Sequence, residues 1–332
     1  MVANGTEGEP PSAKDKFLLL KNPHLVIDGA LAAAAAVGSD EVILALGTNA
    51  GPSLARVEAA VEARRRARGP RLALVRVPDR FVAGEESALV HFLNEGRPTP
   101  TFVPPRPFER GVDGRPTLVQ NVETLANIAL IDRHGPDWFR ELGTSAEPGT
   151  ALVTVSGAVR KAGVHEVELG TPLHQVVALC GGITSSPEAI LVGGYFGSWL
   201  GPEGLELPLS KSGLRPVGAS PGARAVIVLG ADSCGLVETA RVLRYLAGES
   251  AGQCGPCVFG LRAIADAAGS FAERAASPGV IERLQGFANV VEGRGACAHP
   301  DGATNLLRSA LTVFANEVNL HLRGRCSAAR LS

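Results

Sequence analysis

Two cysteines separated by two residues, Cys254 and Cys257 in the run ESAGQCGPC, are the residues whose type and spacing point most directly to chemistry, with Cys297 following in GRGACAHPDG. Thiolate sulfur is a soft ligand, and a tight turn lets two such thiolates reach one metal or cluster. Gly255-Pro256 supplies that turn, and Cys297 sits in a glycine-flanked loop from which a third ligand can fold back. The residues alone admit three readings: an iron–sulfur cluster on three thiolates, a structural zinc on Cys254, Cys257, Cys297 and His299, or buried thiols with no metal. Cys180, Cys234 and Cys326 stand alone and read as structural.

The elements that must position these residues follow from periodicity. Asn22-Pro23 reads as a helix cap and first turn, with the helix running to a Gly38 stop. A strand over 41–46, a helix from Ser53 with Leu54, Val57 and Val61 on one face, and a strand over 72–77 follow, which predicts an α/β domain. Arg64, Arg65 and Arg66 read as a solvated helix end. A glycine- and proline-rich loop over 96–116 leads to a helix near Asn121. Beyond it, 150–159 and 164–169 read as a hairpin, 172–179 as a short helix and 225–229 as a strand. Four helical segments near 235–248, 256–275, 278–292 and 302–323 then predict a helical bundle.

Composition bounds the rest. At 332 residues the chain suits two or three domains of roughly 100–200 residues each. With 45% apolar and 20% charged residues it can bury a core, and a net charge of −1 with mixed signs argues against a nucleic-acid partner. The longest apolar run, 29–37, is too short for a transmembrane segment, and a cytoplasmic location is expected.

Four motifs in order carry a family resemblance. NGTEGE at 4–9 resembles N-A-D-E-S-E, with Lys14-Asp15 and NPHLV at 22–26 continuing the match; GEESAL at 84–89 resembles G-E-E-T-A-L; NVETLAN at 121–127 is an identical run; and ESAGQCGPC resembles E-S-C-G-x-C-x-P-C. The chain therefore resembles the flavin- and NADH-binding F-type subunit of complex I (NADH-quinone oxidoreductase), whose relatives include subunits of NAD-linked hydrogenases and formate dehydrogenases. The resemblance implies a multi-domain α/β protein: a partial FMN- and NADH-binding α/β domain at 1–148, a small β-grasp domain of the soluble-ligand-binding type at 149–232, and a four-helix iron–sulfur domain at 233–323. It implies hydride transfer from NADH or NADPH to FMN, then single-electron transfer to a 4Fe-4S or 3Fe-4S cluster and on to a ferredoxin-like or other redox subunit, peripheral to a membrane complex. Asn4, Glu7, Gly84 and Glu85 would border the flavin, Asn121 and Thr124 its ribityl-phosphate side, and Glu9 and Glu86 the nicotinamide; Cys254, Cys257 and Cys297 would ligate the cluster.

The sequence departs from that family at three places. The family's G-R-G-G-A-G-F-P loop and the lysine after it precede the strand ending at Asn4, so an upstream in-frame extension carrying the loop is expected. Phe81 replaces a tyrosine, and Val103 and Arg106 in TFVPPRP replace a lysine and an aromatic residue, which leaves NADH against NADPH open. Ala251 replaces the first cluster cysteine, with His299, Asp301 and Glu249 as replacement ligands in reach by sequence. A non-catalytic adaptor keeping the β-grasp and helical domains is the rival expectation, alongside a structural zinc protein.

Overall fold

The structure, a computed structural model, describes residues 1–64, 69–275 and 278–328. Its chain divides into two compact units, one of Met1–Gly8 with Ala13–Leu152 and one of Glu9–Ser12 with Val153 onward. Arg65 and Arg66 lie outside the described residues, while Arg64 closes its helix and pairs with Asp28.

The first unit holds β1 (Val2–Gly5), β2 (Glu41–Gly47), β3 (Arg71–Val77) and β4 (Val119–Asn121), with α1 (Lys14–Lys21), α2 (Pro23–Ala36), α3 (Pro52–Ala63), α4 (Glu86–Glu95), α5 (Val122–His134) and α6 (Pro136–Arg140). The strands form one sheet in the order β3-β2-β1-β4, and the pairings of β1 with β2, β1 with β4 and β2 with β3 are all parallel. β2 reads EVILALG with its last four residues buried, as expected of a parallel strand covered on both faces. Helices α2 and α5 pack closely because Gly29 sits under α5, where a Cβ would lie 1.7 Å from the Leu125 carbonyl oxygen. Asn22 precedes Pro23 as expected but makes no side-chain cap bond, and Ser53 falls inside the first turn of α3 rather than at its cap.

The second unit holds a mixed sheet of β5 (Thr150–Gly157), β6 (Gly163–Glu168), β7 (Pro187–Val192), β8 (Ser198–Leu200) and β9 (Ala225–Gly230) in the order β6-β5-β9-β7-β8, with α7 (Leu173–Ala178) and α8 (Lys211–Leu214) in its connections. β5 runs parallel to β9, and β7 runs antiparallel to both β9 and β8. Val153, Val155, Val176, Ile190, Val192 and Val226 form the core beneath it. The helical part comprises α9 (Gly235–Gly248), a π-helical turn (Pro256–Leu261), α10 (Arg262–Ala272), α11 (Val280–Val291), α12 (His299–Val313) and α13 (Ala315–His321). The expected last helix is thus two, broken at Phe314, whose ring packs edge-on against Trp199 at 5.2 Å and fills the space beside Gly235.

Candidate functional site

In a parallel sheet, ligands bind at the carboxyl ends of the strands, where helix N-termini converge. Asn4 and Asn121 lie side by side there, at the ends of β1 and β4. Asn4 Nδ2 donates to the Gly84 carbonyl at 2.8 Å, and its Oδ1 accepts from the Thr6 N–H at 3.1 Å. Asn121 Oδ1 accepts from the Glu123 N–H at 2.9 Å and caps α5, while its Nδ2 donates to Asp15 at 2.8 Å. Glu7 accepts from the Asp15 and Lys16 N–H groups at 3.1 and 3.0 Å, and Glu85 from those of Ser87 and Ala88 at 3.0 and 2.9 Å. Asn4, Glu7, Gly84, Glu85 and Asn121 therefore come together as a rim in which most side chains fasten the protein's own loops. Gly84 is required by that packing, since a Cβ would lie 2.7 Å from the Thr6 hydroxyl.

Three helices begin at this rim, and two carry a carboxylate on their first N–H groups: Glu7 on α1 and Glu85 on α4. The third, α5, has the neutral cap Asn121 and the exposed hydroxyl of Thr124 in its first turn. Glu123 of that turn is drawn inward, its Oε1 accepting from the Leu152 N–H at 2.8 Å and its Oε2 lying 2.9 Å from Lys14 Nζ. Lys14 also lies 2.6 Å from Asp15. Burial pushes the Lys14 ammonium down, but the Asp15 and Glu123 carboxylates outweigh it and hold it above its usual value. Burial pushes the Asp15 carboxyl up, with Lys14 opposing and Glu7 adding to the rise. An anion-bearing ligand such as a flavin phosphate thus fits at α5, whose cap is the neutral Asn121 and which, among the described residues, no carboxylate caps. Glu86 stands on an exposed face 3.4 Å from Arg106, and Glu9 is seated in the second unit, accepting from the Tyr195 N–H at 2.9 Å.

The three expected cluster ligands are brought together in the second unit. Cys257 is buried at the π-helical turn, Cys254 and Cys297 are half-buried, and the Cys257 thiol is pushed up to about 12 by burial, with Cys254 and Cys297 adding to the rise. π-helical turns recur at functional sites, and this one carries the cysteine pair. Among the described residues, one set of at least three Cys, His, Asp or Glu ligand atoms lies within 4.8 Å of one another, and it is not this one. His299 directs Nε2 to the Leu246 carbonyl at 2.8 Å, and Asp301 accepts from the Gly293 N–H at 2.7 Å. Ser250, which sequence reasoning passed over, bonds the Cys257 sulfur from beside Ala251.

The tightly gathered set is Cys234, Glu317, His321 and Cys326. Cys234 and Cys326 do not stand alone, as their sequence separation led one to expect. Glu317 and His321 at i and i+4 on α13, with Cys326 five residues on, are the signal that could have found the set.

Comparison with known proteins matches the chain to three family models: the Nuo51 FMN-binding domain over residues 1–130, the SLBB domain over 152–194, and the NADH-ubiquinone oxidoreductase-F iron–sulfur binding region over 238–321. The NADH-quinone oxidoreductase F subunit of Streptomyces coelicolor is 31% identical over 345 residues, covering 98% of this chain and 75% of the relative. The NADP-reducing hydrogenase subunit HndC of Solidesulfovibrio fructosivorans is 26% identical over 336 residues, covering 97% and 68%. Among solved structures, the NAD+-reducing NiFe hydrogenase in its H2-reduced state aligns with a TM-score of 0.89 at 33% identity. That alignment covers 97% of this chain, which spans 56% of the hydrogenase chain.

Proposed function

Because the chain belongs to the family of NADH-quinone oxidoreductase F subunits, we propose that it is an electron-transfer component of an NAD(P)H:acceptor oxidoreductase, accepting hydride from NAD(P)H and delivering single electrons to an iron–sulfur cluster. The observation that supports this reading is that the buried Cys257 sulfur interacts with both Cys254 and Cys297. FMN bound at the sheet edge would supply the conversion of a two-electron hydride into single electrons that a cluster accepts.

The chain's own residues divide the remaining work. The first turn of α5, with Asn121 and Thr124, would hold the phosphate side, and Asn4 and Gly84 would shape the rim. Glu7 and Glu85 hold α1 and α4 in place, and the exposed Glu86–Arg106 pair marks the side from which a nucleotide would enter. Cys254, Cys257 and Cys297 would ligate the cluster, with the Ser250 hydroxyl bonding one sulfur. In this reading, residues 149–232 are a β-grasp domain and 233–323 a helical cluster domain that faces a ferredoxin-like partner. Among the described residues no single helix is long and apolar enough to cross a membrane.

The test is anaerobic purification followed by assay of iron, acid-labile sulfide and flavin, with electron paramagnetic resonance after addition of NADH, NADPH or dithionite. Iron and sulfide together, with a paramagnetic signal on reduction, are expected. A preparation with neither iron nor sulfide would sink the redox reading and leave the adaptor.

A further inference from the structure

The second cysteine group lies wholly within the second unit and takes no part in the proposed electron path. Cys234 stands at the cap of α9, Glu317 and His321 lie one turn apart on α13, and Cys326 follows that helix. Cys234, Glu317 and His321 are buried and Cys326 is half-buried, with all four ligand atoms within 4.8 Å of one another. Cys234 Sγ is 3.5 Å from His321 Nε2 and 3.8 Å from a Glu317 oxygen, and that oxygen is 3.1 Å from Nε2. A tetrahedral zinc with usual bond lengths would set these three edges at about 3.5, 3.6 and 3.4 Å.

The protons of the group argue in the same direction. His321 Nδ1 lies 3.1 Å from the Phe271 carbonyl, which can only accept, so Nδ1 carries a hydrogen there and Nε2 is the ring atom directed at Glu317 and Cys234. A ring nitrogen, a carboxylate oxygen and a thiol sulfur directed at one another in a dry interior are placed to ligate one shared ion. The outer contacts are those that ligands of a metal ion need. Ser327 donates its N–H to the Glu317 carboxylate at 3.0 Å, and its hydroxyl donates there too. Backbone N–H groups of Leu236 and Val237 bond the Cys234 sulfur, and that of Ala328 bonds Cys326. The N-terminus of the 14-residue α9 adds its dipole beside two thiolates and a carboxylate.

We propose that Cys234, Glu317, His321 and Cys326 form a closed structural site for one divalent zinc-like ion, separate from the cluster cysteines. Two thiolates, an imidazole and a carboxylate complete the ion's shell with no open position, so its role is to tie the segment after α13 to the start of α9.

The test uses the full chain and Zn2+ as the probe. Protein carrying Cys254→Ala, Cys257→Ala and Cys297→Ala should still hold one zinc per chain, and its X-ray absorption should show two sulfur and two lighter neighbours. Competition with a chromophoric chelator should show His321→Ala or Glu317→Ala weakening Zn2+ by more than about 100-fold, beyond the 10–100-fold that loss of an outer partner costs. Should those variants not fold, Co2+ added to the stripped parent protein should give tetrahedral bands and thiolate charge-transfer absorption. Zinc below stoichiometry with no cobalt spectrum, zinc with no sulfur neighbours, zinc lost with the cluster cysteines, or a Cys234–Cys326 disulfide as isolated would each overturn the proposal.

Discussion

Replacing Lys14 by Met tests whether the rim under α5 is held by one buried cation between two carboxylates. Lys14 is 8% exposed, Asp15 4% and Glu123 5%, so water offers the acids little compensation once the ammonium is gone. Removing one partner of a buried pair costs about 3–5 kcal/mol, against about 0–1 for a surface pair. At about 2–4 °C per kcal/mol, that is a fall on the order of 10 °C in the melting of the first unit. The pH dependence has a definite sign. The Asp15 carboxyl, already raised by burial, loses the ammonium that opposes the rise, so the folded variant binds a proton where the unfolded chain does not. Lowering the pH from about 8 toward 5 should therefore restore part of the loss. In the parent protein the Lys14 contribution is complete below the ordinary lysine value and is lost only as the pH rises through the higher value of the folded state. Urea unfolding should be followed by Trp138 fluorescence in a Trp199→Phe background, which leaves one tryptophan, in the first unit. The triple variant Lys14→Met, Asp15→Asn, Glu123→Gln should recover most of the loss. A single variant that loses less than about 1 kcal/mol, or whose loss does not shrink at low pH, would refute the reasoning.

Three further outcomes are expected. Ala251→Cys supplies a fourth thiolate and should lower the cluster's reduction potential, measured by redox titration; an unchanged potential would mean that position 251 lies out of reach of the cluster. Ser250→Ala removes a donor to the Cys257 sulfur and should lower the potential by roughly 40 mV, the equivalent of about 1 kcal/mol for one electron; no shift would place the hydroxyl elsewhere. Gly29→Ala forces a Cβ onto the Leu125 carbonyl and should destabilise the first unit by about 3 kcal/mol in thermal unfolding, with a loss under about 0.5 kcal/mol counting against close α2–α5 packing.

Local signals were the legible part of this molecule. Apolar runs at 41–46 and 72–77 alternating with helices disclosed the α/β domain, whose strands the structure pairs in parallel, and Asn121 was readable as a cap because its partner is two residues away. α1 was missed because KDKFLLLK is too short to show a period and its start is held from a distance by Glu7. β7 and β8 lie between glycine turns and take their identity from non-local pairing around β9. The break at Phe314 is likewise tertiary, since the ring that interrupts the helix is held by Trp199. The CxxC pair was visible for the same reason that Cys234 with Cys326 was not: one lies within a single turn, while the other needs the bundle folded before its members meet.

The position of β1 in the sheet has a consequence for synthesis on the ribosome. Val2–Gly5 is paired on one side by 43–46 and on the other by 119–121, so β1 cannot be fully enclosed until β4, far along the chain, has emerged. Its apolar residues must wait through that interval with one edge open, a delay that long-range pairing imposes and that exposes the nascent chain to association with its neighbours. Codons near 119–121 that slow translation would lengthen the wait, and a chaperone that shields a single open strand edge would be most useful to this chain during it.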